Sequence, residues 1–264
     1  MDFSTYQTIV FSREGRVLTI TLNRPDKLNA TDALMHEELA RVFTEAARDP
    51  ESDVIIFTGA GRAFCAGGDI RWMQDMIEDQ SKFEKTGREA KQIVFSILDC
   101  EKPIIAKVNG HATGLGCTMA LLCDVIFVSD AAKLGDPHVS VGFVAGDGGA
   151  VIWPQLIGYA RAKELLMTGD LITAERAASI GLVNHALPAA ELDEAVAAFA
   201  RRLTQGAIKA ISWTKVSVNI GLKQLAHSIM DASIAYEAMS NQTAEHKEAV
   251  AAFLEKRKPN FTGA

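Results

Sequence analysis

The sequence predicts an α/β core with parallel strand pairing, followed by a purely helical C-terminal region. Three observations carry this. Short aliphatic and β-branched runs recur at 16–23, 54–59, 104–108, 124–128 and 182–187, each followed by a turn or an amphipathic stretch. That rhythm sets parallel strands side by side with helices packed across them. Two of the strand-to-helix turns are built on glycine, one at Gly67-Gly68 and one at Gly110, Gly114 and Gly116, and strand signals stop near Pro188.

Taken in order, Arg16-Val17-Leu18-Thr19-Ile20-Thr21-Leu22-Asn23 alternates like a strand and ends where Pro25 removes a backbone donor. Thr31 or Asp32 caps a helix running to about Arg48, with Leu34, Leu39, Val42 and Phe43 turned inward. Val54-Ile55-Ile56-Phe57 is a continuous apolar run closed by Thr58-Gly59-Ala60-Gly61, a buried strand, and Phe64 to Asp69 leads into an apolar-periodic stretch from Ile70. The 71–90 segment mixes apolar and charged residues and predicts a mobile helical flap, with Met73 and Met76 either an adaptable wall or ordinary core. Residues 103–149 read as a buried strand, a glycine-rich turn, a short helix opening near Cys117, a second strand and a polar glycine-rich loop. Segments 189–204, 206–220, 222–240 and 243–257 are amphipathic helices, broken at Gly206 and Gly221 and closed by Pro259. The chain therefore divides into a core, 1–188, and a helical oligomerisation region, 189–264.

Composition narrows the function. A chain of 264 residues at 48% hydrophobic content can bury a large single core. It has no apolar run near the ~18–20 residues of a membrane span, and MDFSTYQTIVFSREG lacks the parts of a signal peptide, which predicts a cytoplasmic enzyme. Cys65, Cys100, Cys117 and Cys123 show no CxxC spacing, so neither a disulfide nor a metal site is expected. A net charge of −6 argues against a nucleic-acid surface. His36-Glu37-Glu38-Leu39-Ala40 opens like a zinc-protease motif but lacks the second histidine, and reads as solvent-facing helix. Dinucleotide, nucleoside-triphosphate and serine-hydrolase motifs are missing.

What remains is the pair of glycine turns. Such turns adopt dihedrals closed to other residues and aim the unpartnered N–H groups of a helix start at one point. They suit an anion, or an oxygen that becomes anionic during a reaction.

The segments AFCAGGDI and VNGHATGLGCTMALLCD resemble the two oxyanion-hole segments of the enoyl-CoA hydratase/isomerase, or crotonase, superfamily. LNRPDKLNA, LLMTGDLITAERAASIGLVNHALP and KEAVAAFLEKRKPNF agree with it in order and spacing. The resemblance implies a crotonase-like spiral of repeated ββα units, with C-terminal helices assembling a homotrimer or a dimer of trimers. It implies an acyl-CoA thioester as substrate, its carbonyl held by the N–H groups of Ala66 and Leu115, and no separate cofactor. It places coenzyme A along Arg24, Lys27, the Ala66-Gly67-Gly68-Asp69-Ile70 turn and Gly114, with its phosphates near Lys256. Lys256-Arg257-Lys258 also fits the charge preference of a helix C-terminus.

The sequence departs from typical hydratases at both catalytic glutamates, where Thr118 and His138 stand. Thr118 can orient water or cap the helix but cannot act as a base near neutrality. His138, with Asp136 two residues before it, can serve as acid or base, or can simply satisfy a buried polar contact. Asp147 can act as base or nucleophile, or can cap the helix that follows through Trp153. If both face the pocket they form an acid/base pair. The expected reaction is hydration of a 2-enoyl-CoA; double-bond isomerisation, decarboxylation, thioester hydrolysis and acyl-CoA binding without catalysis are the alternatives. The acyl group is not specified.

Overall fold

The computed structural model describes residues 3–263; Met1, Asp2 and Ala264, at the outer ends of the two expected regions, lie outside them. The chain runs β1 (Ile9–Glu14), β2 (Val17–Leu22), α1 (Ala33–Arg48), β3 (Val54–Gly59), β4 (Ala63–Cys65), α2 (Ile70–Glu78), α3 (Gln80–Asp99), β5 (Ile104–Val108), β6 (His111–Thr113) and α4 (Leu115–Leu122). It continues through β7 (Val125–Ser129), β8 (Lys133–Gly135), α5 (Gly149–Ile157), α6 (Tyr159–Thr168), β9 (Ile172–Thr173), α7 (Ala174–Ser179), β10 (His185–Leu187), α8 (Ala189–Thr204), α9 (Ile208–Asn241) and α10 (Ala244–Leu254).

Two sheets form. One has the order β1-β2-β3-β5-β7-β10 and is antiparallel only in its opening hairpin; the other is the short set β4-β6-β8-β9. A strand of the first sheet, a strand of the second and a helix follow one another three times, as β3-β4-α2, β5-β6-α4 and β7-β8-α5. This is the spiral of ββα units. The inner strands β3, β5 and β7 are largely apolar on both faces because both are covered. Ile55, Phe57, Ile104 and Ala106 enter the main core with α1 and α3, while Val54, Ile105 and Phe127 meet Leu192, Val196 and Ala200 of α8 on the other face.

Several expectations need correction. Leu34 is exposed, because the buried stripe of α1 runs through Met35, Glu38, Leu39, Val42, Phe43 and Ala46, and position 34 lies off that stripe. Gly221 does not interrupt the C-terminal helices: α9 passes through it over 34 residues, a helical glycine costing only about 1 kcal/mol. The last parallel strand is shorter than 182–187, because the Asn184 side chain takes the Ile126 N–H at 2.8 Å in place of a backbone bond. The 71–90 segment forms α2 and most of α3, and Met73 and Met76 pack with Phe83, Phe143 and Val250. Among the described residues no helix is long and apolar enough to cross a membrane.

Candidate active site

The two glycine turns meet face to face. Helix α4 opens at Leu115, two residues before Cys117, because Gly114 takes φ +54 and its N–H is tied to the Gly135 carbonyl at 3.0 Å. Gly116 then presses on the first turn so closely that a Cβ there would lie 2.5 Å from the Cys65 Cβ. In the first turn most N–H groups are already engaged. Ala66 donates to the Leu28 carbonyl at 3.1 Å, Gly67 faces the Cys65 sulfur, and Asp69 donates to the Thr31 carbonyl at 2.9 Å. Gly68 has no acceptor among the described residues, and Leu115, first in its helix, has no intrahelical one. Ala66 is thus not free to hold an oxygen as expected, whereas Gly68 and Leu115 both line an inner cavity.

An open groove of about 530 Å³ leads to that cavity. It is lined by Lys27, Ala66, Gly67, Gly68, Asp69, Ile70, Gly114 and His138, all expected there, and by Phe253 of α10. Arg24 is instead clamped by Asp32 at 2.9 Å and Asp69 at 3.7 Å, and Lys256 stands exposed beyond α10, neither lining the groove.

Beyond the turns lies a line of three buried groups, Asp136, His138 and Asp147. Strand β8 ends at Gly135, and Asp136-Pro137 leads into a 3-10 turn over His138–Val141 that sets the imidazole between two carboxylates. His138 Nδ1 is hydrogen-bonded to the Asp136 carboxylate, and Nε2 lies 3.6 Å from Asp147 Oδ2. Burial by itself lowers the His138 pKa, but Asp136 and then Asp147 outweigh it and push the imidazole up to about 10. Burial raises Asp147, partly offset by the His138 charge. The three offer ligand atoms within 4.8 Å of one another.

Neither capping alternative holds. Gly148, not Asp147, is the N-cap of α5 and makes no side-chain cap bond, and Thr118 is the fourth residue of α4, whose N-cap is Gly114. Among the described residues the Thr118 hydroxyl is buried without a partner, and its methyl group lies where a side chain on Gly148 would stand, 2.9 Å from the added Cβ. His36 also corrects expectation. It is 2% exposed, bonds Glu89 Oε2 at 2.7 Å and lines the inner cavity, while Glu37 alone of the pair faces solvent. Glu237, from α9, lines the same cavity. The burial of its carboxyl, then Asp147, holds it well above the usual carboxylate range.

Residues 12–264 match the family model described as Enoyl-CoA hydratase/isomerase. The chain belongs to that family. A short-chain-enoyl-CoA hydratase of Clostridium acetobutylicum is 36% identical over 258 residues, covering 95% of each chain. An enoyl-CoA hydratase/isomerase from Mycobacterium paratuberculosis superposes with a TM-score of 0.88 at 37% identity, over 92% of this chain and 97% of that one. A β-diketone hydrolase from Anabaena, solved with (S)-3-oxocyclohexyl acetic acid, superposes with a TM-score of 0.84 at 29% identity, over 91% and 96%. The crotonase fold and an enzyme of the enoyl-CoA hydratase/isomerase family are thereby established. Within this family enzyme, His138 lines both the groove and the cavity, Asp147, His36 and Glu237 line the cavity, and Asp136 is bonded to the His138 ring.

Proposed function

We propose that the enzyme hydrates a 2-enoyl-CoA thioester bound along the groove, with the thioester oxygen held by the N–H groups of Gly68 and Leu115. Two backbone donors aimed at an oxygen that gains negative charge lower the barrier, each by about 3–4 kcal/mol. The polarised thioester makes the β-carbon electrophilic. Asp147, as carboxylate, takes a proton from water as its oxygen bonds to that carbon, and the His138 imidazolium gives a proton to the α-carbon. The 3.6 Å separation of Asp147 from His138 then lets the proton return, which restores both groups. Asp136 orients the ring. Coenzyme A itself is part of the substrate, and Lys27 at the groove and Lys256 beyond α10 suit its phosphates.

The observation that carries this reading is the buried histidine set between two carboxylates beside the free N–H groups. Incubation with crotonyl-CoA in heavy-oxygen water tests it. Label at the β-carbon with loss of enoyl absorbance is expected; no loss, with coenzyme A still bound, overturns hydration.

A second reading is hydrolytic, with the same relay directing water at a carbonyl carbon. It is favoured by the absence of both usual glutamates together with the likeness to the β-diketone hydrolase. In that case label enters a carboxylate, with release of free thiol from a thioester or loss of absorbance from a cyclic 1,3-diketone. We also read the chain as self-associating into a homotrimer or a dimer of trimers through its C-terminal helices, where Trp213, Val218 and Met239 are exposed. Sedimentation at micromolar concentration should give three or six times the monomer mass.

A further inference from the structure

The inner cavity encloses about 40 Å³, room for about three water-sized groups. Its wall is apolar at Met76, Phe83 and Phe143, which alone would suit a plain hydrocarbon chain. Glu237 breaks that wall. It is 6% exposed, yet neither carboxyl oxygen has a hydrogen-bond partner among the described residues. It fits because Gly146 has no side chain: a Cβ there would lie 2.6 Å from Glu237 Oε2. The carboxyl opens onto the cavity, where a ligand oxygen would supply the hydrogen bond that the protein does not. Of the other ionisable groups in the wall, His36 is bonded to Glu89 at 2.7 Å and Asp147 Oδ2 faces His138 at 3.6 Å.

We propose that Glu237 selects the acyl group, by hydrogen-bonding a neutral oxygen, hydroxyl or carbonyl, carried near the end of a short acyl chain. This rests on the reading that an acyl-CoA fills the groove. Burial, with Asp147 and Asp136 adding to it, favours the acid form of Glu237, whose O–H donates, and the two aspartates repel a ligand carboxylate. A longer saturated chain meets both the small volume and an unsatisfied carboxyl.

The test compares two isosteric thioesters that cannot be hydrated, 4-hydroxybutanoyl-CoA and pentanoyl-CoA, by titration calorimetry, with free coenzyme A as reference. The full-length protein should bind the hydroxylated ligand about tenfold or more tightly. Glu237→Gln, which keeps a donor of the same shape, should retain most of that preference; Glu237→Leu should abolish or invert it. Near-UV circular dichroism checks that both variants keep native packing. Equal or better binding of pentanoyl-CoA by the unaltered protein, or an unchanged ratio in Glu237→Leu, overturns the inference while free coenzyme A binding stays intact. Failure of free coenzyme A to bind overturns the groove assignment, and this inference with it.

Discussion

At the residue scale the site turns on His138, whose ring is held between Asp136 and Asp147. If the imidazolium supplies the proton, activity is lost as pH rises through about 10. Asp136→Asn removes the larger of the two stabilising charges and should move that alkaline limb of kcat/KM down by about one to three pH units. A limb that does not move removes Asp136 from the role of positioning group. His138 also links pH to stability. Its folded pKa, about 10, is above its unfolded value of 6.5, so the stabilisation is complete below 6.5 and is lost as pH rises through about 10. Unfolding free energy should fall across that window by up to ~1.4 kcal/mol per pH unit. Urea titrations at stepped pH check this, and His138→Gln should flatten the slope. His138 and Asp147 stood out in the sequence through the resemblance, which sets His138 at a catalytic-glutamate position and Asp147 beside the point where several relatives carry an aspartate. His36 and Glu237 were not, since what buries His36 is Glu89, 53 residues away, and what admits Glu237 is the bare Gly146 on another element.

Among elements, the turns depend on close backbone approach and the helices on continuity, and glycine acts oppositely in the two. At Gly116 an added methyl would meet Cys65 Cβ at 2.5 Å and the Cys65 carbonyl at 2.7 Å, so the two donor turns must part. Gly116→Ala should therefore cut kcat/KM by about 10²-fold and cost about 1–3 kcal/mol of stability. At Gly221, within α9, an added methyl meets nothing within 4 Å. Gly221→Ala should stabilise the protein by about 0.5–1 kcal/mol with unchanged turnover. Steady-state kinetics and urea midpoints on both variants separate the two roles. The apolar runs made β3, β5 and β7 readable in advance, because strands covered on both faces need no alternation. The fate of Gly221 was not readable, since a helical glycine and a helix break look alike until length and packing decide.

Across the whole molecule, the C-terminal helices do more than follow the core. Helix α8 covers one face of the large sheet, α9 supplies Glu237 to the cavity, and α10 supplies Phe253 to the groove. One buried ion pair fastens α9 to the sheet. Lys215 Nζ lies 2.8 Å from Asp124 Oδ2 and donates to the Lys102 carbonyl at 2.8 Å, while Asp124 accepts the Ile104 N–H at 2.6 Å at the start of β5. The Lys215 side chain is only 7% exposed, so the pair is screened little by solvent. Burial raises the Asp124 pKa, and Lys215 is the charge that opposes it. Lys215→Met strands that carboxylate and should cost about 3–5 kcal/mol in urea unfolding. Lys215→Met combined with Asp124→Asn removes the unpaired charge and keeps an oxygen for Ile104, so most of the loss should return. If the single variant is as stable as the unaltered protein, α9 is held by apolar packing alone. If the double variant recovers nothing, the loss comes from the lysine stem and not from its charge.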